Sequence, residues 1–460
     1  MLCRWIYRVL LVCLPLLPAV AQAAAEPREF VLDNGLKVIV KPDARAPVIV
    51  SQVWYKVGSS YEEGGTTGIS HVLEHMMFKG TAKHPDGEFA RLIADRGGSQ
   101  NAFTGRDYTA YYEQLHKRHL ELAFELEADR MRNLLLKPED FEKELKVVME
   151  ERRLRTDDDS QALTFERFNA VAFLNNPYRH PVIGWMGDLK NLTVSDLRQW
   201  YDTWYAPNNA TVVVVGDVDP EQVLKLAKQY FGPLPPSELP TLKGRQEPDH
   251  EGSRSVVVRA PAEVPYLVTG YQVPALRTAE SDWEPYALTV LAAILDGGDS
   301  ARLSRELVRG AQLAASAGAS YNAFSRLGDL FLLDATPNDG RTVAEVDQAL
   351  QEQVKRLQDA AVTPQELERV KAQVYADKVF ELDSLFAQAM QIGLLETVGL
   401  DWRLWDTFAE RVRQVTPEQV QDVARRYLVD ERRIRAELVP LPLAAGEADR
   451  VAMRGSQDVR

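Results

Sequence analysis

One pattern occurs twice along the chain, and it constrains the fold more than any other feature of the sequence. An amphipathic helix pattern leads into a short apolar strand pattern, first over residues 192–215 and again over 415–439. Matching positions lie a constant 223 residues apart, which is close to half of the chain length. Chance similarity between amphipathic helices is the alternative, but the agreement with the half-length favours a duplicated domain. The matching residues are Leu192, Thr193, Leu197, Trp200, Tyr201 and Trp204 in the first copy and Val415, Thr416, Val420, Val423, Ala424 and Tyr427 in the second.

A proline-rich segment separates the two copies and reads as an extended linker. Strand and helix patterns alternate on both sides of it, which is typical of an α+β fold. We predict a first domain over residues 24–232, the linker over 233–254, a second domain over 255–442 and a polar tail over 443–460. The prolines of the linker are Pro233, Pro235, Pro236, Pro240 and Pro248.

The first two dozen residues differ from the rest of the chain. Arg4 and Arg8 precede an apolar run over residues 9–20, and Ala21-Gln22-Ala23 has the small-x-small form of a cleavage site. This pattern predicts a secretory signal peptide over residues 1–23. An uncleaved membrane anchor is the alternative, but the apolar run is shorter than the ~20 residues that span a bilayer.

Cysteine and charge content narrow the chemistry. Both cysteines, Cys3 and Cys13, lie in the predicted leader, so the mature chain would form neither a disulfide nor a thiolate metal site. Any metal ligands must then be His, Asp or Glu. Loss of Arg4 and Arg8 would change the formal net charge from −13 to −15, which argues against nucleic acid or an anionic membrane surface as a partner.

The run from His71 to His75, HVLEH, is the strongest chemical signal. On a helix that turns about 100° per residue, His71, Glu74 and His75 share one face. Two imidazoles one turn apart can hold Zn²⁺, and the glutamate between them can take a proton from bound water. A surface helix with two solvated histidines and a closed structural metal site are the alternatives. The opposite face is apolar and consists of Ile69, Val72, Leu73, Met76 and Met77.

A third metal ligand is expected from a later helix, predicted over residues 138–155. Helical phase places Glu144 and Glu151 close together at the border of the apolar stripe. An unpaired carboxylate that points inward is costly, and a nearby cation would relieve the cost. Glu142 and Glu150 lie on the far side with Lys143 and Lys146, where solvated side chains belong.

These residues and their surroundings resemble the pitrilysin/insulinase family of zinc peptidases with the inverted motif. The resemblance covers most of residues 30–235 and, more weakly, the second half. The segments that carry it are GISHVLEHMMFKGT over residues 68–81, GGSQNAFT over 97–104, NNPY over 175–178, YAPNN over 205–209 and VGDV over 215–218.

The resemblance implies a role for each candidate residue. The family spacing makes Glu151 the third ligand of one zinc ion per chain, beside His71 and His75, with Glu144 as its support. Glu74 is then the general base that activates zinc-bound water for attack on a peptide carbonyl. Asn101 and Ala102 are expected to hold the substrate backbone by pairing along an edge strand. The resemblance also implies two homologous domains, each a mostly antiparallel sheet packed with helices.

The second half departs from the family pattern. Family members place an Arg and a Tyr seven residues apart there, and the aligned positions in this chain hold Val308 and Ala315. Without that pair the site lacks an electrophilic clamp for the developing oxyanion. We therefore expect a heterodimer with a homologous, metal-free subunit that supplies Arg and Tyr; a homodimer is the less favoured alternative.

Two functions remain open from the sequence. One is a zinc metalloendopeptidase acting on peptides or small unfolded proteins. The other is a non-catalytic peptide-binding or assembly subunit on the same fold. The complete set of His71, Glu74, His75 and Glu151 favours the enzyme. The predicted leader and the lack of cysteine after it favour a periplasmic location.

Overall fold

The computed structural model describes residues 26–245, 247–248 and 252–443. The predicted leader over residues 1–23 and all but the first residue of the predicted tail lie outside these ranges. Within them the strands form two sheets. The N-terminal sheet consists of β1 (Arg28–Val31), β2 (Lys37–Pro42), β3 (Val48–Tyr55), β4 (Ser99–Thr104), β5 (Thr109–His116) and β6 (Ala210–Gly216), and the C-terminal sheet of β7 (Arg254–Pro261), β8 (Tyr266–Val273), β9 (Ala314–Tyr321), β10 (Asp329–Pro337) and β11 (Arg433–Leu441).

The two sheets share one strand order. The N-terminal sheet runs β1-β2-β6-β3-β5-β4 and the C-terminal sheet runs β7-β11-β8-β10-β9. Each sheet, as described, contains one parallel pair of strands. This pair is β2 with β6 in the N-terminal sheet and β7 with β11 in the C-terminal sheet. Thr211 lies opposite Trp54, and Ile434 lies opposite Gly270, so Trp54 and Gly270 occupy equivalent positions. Because Thr211 and Ile434 are 223 residues apart, the predicted duplicated α+β fold is confirmed; the domain boundaries stay a prediction.

Fourteen α-helices lie around the sheets in the described ranges, and none of them is long and apolar enough to cross a lipid bilayer. The helices of the duplicated pattern both begin with a capping box, Thr193 with Asp196 and Thr416 with Gln419. The helices are α1 (Ile69–Met76), α2 (Glu88–Ala94), α3 (Leu120–Asn133), α4 (Pro138–Arg152), α5 (Ser160–Ala172), α6 (Met186–Leu189), α7 (Val194–Trp204), α8 (Pro220–Tyr230), α9 (Glu284–Asp296), α10 (Val343–Asp359), α11 (Pro364–Glu381), α12 (Leu385–Val398), α13 (Leu404–Arg413) and α14 (Pro417–Tyr427).

Each sheet is covered on one face by helices of its own half and on the other by a helix of the opposite half. Helices α1, α3, α7 and α8 form the core on the N-terminal sheet, while α9, α10 and α14 form the core on the C-terminal sheet. On the remaining faces, α12 packs against the N-terminal sheet through Ala389 and Ile392. Helix α5 packs against the C-terminal sheet through Phe168 and Ala172. The two halves thus exchange one helix each.

The exchanged helices contact equivalent strand positions with the large and small residues reversed. Trp54 of β3 lies against Gly393 of α12, where an added Cβ would be 2.1 Å from the indole ring. In the other half the glycine is on the strand: a Cβ at Gly270 would be 2.6 Å from Cζ of Phe168. Gly393 and Phe168 each lie nine residues after the N-cap of their helix. The same kind of contact, an aromatic ring against a glycine, therefore joins helix and strand in both halves.

The turns that precede β5 and β10 also meet in a reciprocal way. Arg106 lies 3.2 Å from the carboxylate of Asp329, and Arg326 lies 3.0 Å from that of Asp107. Each aspartate also accepts a hydrogen bond from a serine hydroxyl of its own half. These paired contacts fix the two halves to each other beside the cavity described next.

Candidate metal centre

Helix α1 carries the HVLEH run, and its first turn is held by a side chain from outside the helix. The carboxylate of Glu62 accepts hydrogen bonds from the backbone N–H groups of Gly68, at 2.7 Å, and Ser70, at 2.9 Å. These are two of the N–H groups that a helix start leaves without a partner. The apolar face of α1 is buried against the sheet, as its phase predicts. The polar face is consequently held toward the neighbouring helix, α4.

Glu62 is fully buried, and burial raises its pKa to about 7, against the opposing effect of the two backbone N–H groups. Asp188 lies near and raises the pKa further. The start of the helix thus depends on a carboxyl group that titrates near neutral pH in the folded protein.

Three side chains meet between α1 and α4. Oε2 of Glu151 lies 3.7 Å from Nε2 of His71 and 3.4 Å from Nε2 of His75. Ligand atoms about 2.0–2.1 Å from a tetrahedral zinc ion would be roughly 3.4 Å apart. Within the described ranges, these residues form the one group of at least three His, Cys, Asp or Glu side chains that is spaced for a metal ion. The donor set and its spacing fit zinc.

Glu144 lies behind the candidate ligands. Its Oε2 is 3.2 Å from Nδ1 of His75, and its Oε1 is 2.8 Å from Nζ of Lys79. A carboxylate on the far ring nitrogen fixes the imidazole orientation and leaves Nε2 free to bind a metal. Glu144 is thus placed to orient His75, and its role as support of the metal site stays a prediction.

The second oxygen of Glu151 is also engaged. Oε1 lies 3.0 Å from Nη1 of Arg155, one helical turn later, while Oε2 faces the two imidazoles. The α-helix ends at Arg152 and continues as a π-helical segment, Arg153–Asp157, whereas the sequence predicts a regular helix to residue 155. Such π segments are frequent at functional sites.

Burial shifts the pKa of two residues on α1. The pKa of His71 is lowered to about 3, by burial and then by His75 and Arg155, so its ring is neutral and able to bind a metal. In the described part of the chain, its buried Nδ1 has no hydrogen-bond partner. Burial raises the pKa of Glu74, opposed by a hydrogen bond that the Thr104 hydroxyl donates to Oε2.

These side chains line a cavity of about 1060 Å³. Strand β4 forms part of its wall and is the outermost strand of the N-terminal sheet. The structure places Asn101 and Ala102 on this strand, as the sequence predicts. Oδ1 of Asn101 accepts a hydrogen bond from the Ala102 N–H at 2.9 Å. An extended peptide would have to displace this contact to pair with that N–H.

Sequence reasoning missed three partners of the predicted residues. Arg155 had a readable signal, since it lies four residues after Glu151 on the same helical stretch. Lys79 had none, because it lies beyond the end of α1 and pairs with Glu144 on another helix. Thr104 had none in the helix pattern, because it reaches Glu74 from strand β4.

Two family descriptions match most of the chain. Residues 37–184 match the family described as "Insulinase (Peptidase family M16)", and residues 191–374 match "Peptidase M16 inactive domain". The chain belongs to this insulinase family, M16, which confirms the resemblance found in the sequence.

Individual relatives make the likeness more specific. The chain is 34% identical over 358 residues to the zinc protease PqqE of Helicobacter pylori, which covers 77% of this chain and 79% of that protein. It is 27% identical to the mitochondrial-processing peptidase subunit beta of Lentinula edodes over 87% of both chains. The crystal structure of a protease from Helicobacter pylori superposes with a TM-score of 0.85 at 30% identity, covering 90% of this chain and 100% of the other. The chain is thus similar to proteins named zinc proteases.

Proposed function

We propose that this chain is a zinc-dependent metalloendopeptidase that hydrolyses peptides or small unfolded proteins. The observation that carries the proposal is the arrangement of His71, His75 and Glu151, whose ligand atoms lie at the spacing of a tetrahedral zinc site. Glu74, the candidate base, lies on the same face of α1 and lines the same cavity. Three protein ligands leave a fourth position for water, which is the arrangement of catalytic zinc sites.

The residues of the chain divide the chemistry among them. Zinc, when bound, lowers the pKa of a coordinated water and polarises the scissile carbonyl. Glu74 takes the proton of the attacking water on its carboxylate and delivers it to the departing amine. Burial raises its pKa above the ordinary range of a glutamate, which makes the carboxylate a better proton acceptor. The Thr104 hydroxyl fixes one carboxylate oxygen, so the other remains for this transfer.

Strand β4 provides the proposed substrate contact. Because β4 pairs only with β5, its outer edge can accept an extended peptide as an added strand. Asn101 and Ala102 lie on this edge in the cavity wall. Backbone pairing recognises conformation more than side chains, which suits peptides or unfolded segments as substrates.

The variant Glu74→Gln tests the mechanism. We expect it to keep zinc, since Glu74 is not a ligand, and to lose about 10²–10⁴-fold in the hydrolysis of a quenched-fluorescence peptide library. Zinc content is measured by metal analysis of the purified protein. Glu142→Gln, an exposed carboxylate on α4, is the matched control and should retain both properties. Unchanged hydrolysis in Glu74→Gln would contradict the proposed site.

A homologous partner subunit is the second part of the proposal. Val308 and Ala315, at the positions where the family places Arg and Tyr, are apolar and cannot stabilise an oxyanion. Tyr321, the next tyrosine after Ala315 in the sequence, already donates its hydroxyl to the Pro274 carbonyl at 2.6 Å. One relative named above is itself called a subunit, which supports a heterodimer with a metal-free homologue.

Activity of the purified chain alone decides this part. We expect weak, zinc-dependent hydrolysis that rises when the partner subunit is added. Full turnover by the isolated chain, at an unchanged rate with the partner, would exclude the need for it.

A non-catalytic peptide-binding or assembly subunit is the second candidate function. The match of residues 191–374 to an "inactive domain" favours it, although the four zinc-site residues lie in the part that matches the other family description. Zinc-free, inactive protein that still binds peptides would support this alternative. We further propose a periplasmic location, on the basis of the predicted leader.

A further inference from the structure

Arg152 follows Glu151 at the end of α4, and its side chain is 3% exposed. The guanidinium donates to both carboxylate oxygens of Glu166, at 2.7 and 3.0 Å, and to the Gly184 carbonyl oxygen at 2.8 Å. Burying a charged group costs several kcal/mol unless its partners are placed with good geometry. The last turn of α4 is therefore fixed by a bidentate contact to another element.

The contact of Arg152 lies next to the candidate ligand Glu151, where the geometry of the helix changes. The α-helix ends at Arg152, and the chain continues in π geometry over Arg153–Asp157. Glu151 is the residue immediately before this change. The direction of its side chain thus depends on whatever holds the junction in place, since the regular hydrogen-bond ladder of the helix is interrupted there.

The partner of Arg152 rests on the other half of the molecule. Glu166 lies on α5, the helix that packs against the C-terminal sheet. Phe168 fills the space above Gly270, and the hydroxyl of Ser160 donates to the Pro261 carbonyl. Contacts on both sides of Glu166 therefore connect it to the half that lacks the HVLEH run.

The second acceptor leads back to α1. Gly184 lies beside the first residues of that helix, where a Cβ added at Gly68 would be 2.9 Å from Gly184 Cα. Arg152 thus contacts a segment that touches the start of the helix bearing His71 and His75.

We infer that Arg152 is a positioning residue for Glu151: through Glu166 and Gly184 it aligns the end of α4 with α1, so that the C-terminal half helps to set the geometry of the metal centre. The inference rests on the proposed zinc site. Residues that orient metal ligands typically change metal affinity 10–100-fold when they are replaced, which sets the size of the expected effect.

Zinc affinity, measured by competition with a chromophoric chelator, is the direct readout. We expect the zinc Kd to rise 10–100-fold in Arg152→Met and by a smaller factor in Arg152→Lys, which keeps the charge without the planar fork. Arg153→Met is the matched control, because Arg153 pairs with Glu150 in solvent one residue later. An unchanged Kd in Arg152→Met, or an equal rise in Arg153→Met, would overturn the inference.

One further variant separates positioning from folding. Arg152→Met leaves the Glu166 carboxylate buried and unpaired, so the double variant Arg152→Met/Glu166→Leu removes that charge as well. We expect the double variant to regain thermal stability and to keep the raised zinc Kd. Recovery of zinc affinity together with stability would show a merely structural role and contradict the inference.

A double-mutant cycle tests whether Arg152 acts through Glu151. In a Glu151→Ala background, Arg152→Met should cause no further change in zinc Kd, because the ligand that it positions is absent. A full additional 10–100-fold loss would refute the proposed route. Wild-type protein and His71→Ala are the reference pair for the metal centre itself. If wild type does not bind zinc more tightly than His71→Ala, the proposed metal centre is wrong. That result is distinct from a wrong inference about Arg152.

Discussion

The two halves of the molecule share a frame, which consists of the sheets, the exchanged helices and the paired turns. They differ in the helix that lies on each sheet after its β3 or β8 strand. In the N-terminal half, α1 has an apolar face on the sheet and a polar face, with His71, Glu74 and His75, on the cavity. The corresponding helix of the C-terminal half, α9, is buried along nearly its whole length and contains no histidine. The sheets, the exchanged helices and the paired turns repeat. The frame is thus repeated in both halves. The candidate site is not repeated, because α1 has a face on the cavity whereas α9 is buried.

The largest effect is expected at the paired turns, where Asp107 and Asp329 accept hydrogen bonds from arginines of the opposite half. Asp107 accepts four hydrogen bonds, from Ser60, from Tyr178 and from the side chain and backbone N–H of Arg326. Its counterpart Asp329 accepts three and is paired with Arg106, which is more exposed than Arg326. Breaking one partner of a buried pair costs about 3–5 kcal/mol. We expect Asp107→Asn to reduce the free energy of unfolding by about that amount and Asp329→Asn by less.

Urea denaturation of both variants measures the difference. Asp401→Asn serves as the control, since Asp401 and its partner Arg403 are exposed and such pairs contribute about 0–1 kcal/mol. Equal, small losses in Asp107→Asn and Asp329→Asn would show that the reciprocal contacts do not hold the halves together.

The capping carboxylate of α1 provides a test by pH. Because the pKa of Glu62 is raised from 4.5 to about 7 in the folded protein, the folded state binds more protons than the unfolded state between these values. Stability from this group is therefore present at low pH and is lost as pH rises through 7. Relative to Glu62→Gln, zinc-free wild type should lose on the order of 3 kcal/mol of unfolding free energy between pH 4.5 and 7.

The measurement is the unfolding of both proteins, without metal, across a pH range that begins at 4.5 and extends past 7. Other titrating groups cancel in the difference between wild type and variant. A difference that does not vary with pH would mean that Glu62 remains ionised throughout, and that its two backbone contacts outweigh burial.

The exchanged helices provide the third test. In Gly393→Ala the new Cβ would lie 2.1 Å from the ring of Trp54, which is completely buried. Overpacking of this kind costs about 1–3 kcal/mol. Gly270→Ala should cost less, because its nearest atom is the far end of the Phe168 side chain, at 2.6 Å.

Thermal unfolding of the two variants compares the two contacts. Adding Trp54→Phe to Gly393→Ala should recover part of the loss, since the smaller ring makes room for the methyl group. If the single variants cost the same and Trp54→Phe brings no recovery, the contact between α12 and β3 is not the source of the effect.

The sequence predicts those features that depend on local periodicity. The face of α1 that carries His71, Glu74 and His75 follows from an angle of about 100° per residue. The same rule selects Glu144 and Glu151 on α4, and the structure brings both to His75. The constant spacing of the two copies likewise predicts the duplicated fold, because duplicated sequences repeat their strand order.

The exchange of α5 and α12 could not be predicted from the sequence. Periodicity shows which face of a helix is apolar, but it does not show which sheet the face contacts. For the same reason Arg152 resembles any arginine near a helix end, since its partner Glu166 lies on another helix. The π segment after Arg152 has no pattern of its own in the sequence and arises in the folded context.

The smallest effect on stability is expected at strand β1, which is the strand by which the two sheets differ in number. Among the described residues, strand β1 has no counterpart in the C-terminal sheet and pairs only with β2, at the edge. One of its side-chain contacts, Arg28 to Glu221 at 3.2 Å, joins groups that are 54% and 66% exposed. Glu29 of the same strand makes further contacts, with Lys37, Trp402 and Arg403. Exposed pairs contribute about 0–1 kcal/mol, so Arg28→Ala should lower the melting temperature by less than about 2 °C. A larger shift would make β1 part of the frame and would limit the symmetry of the two halves.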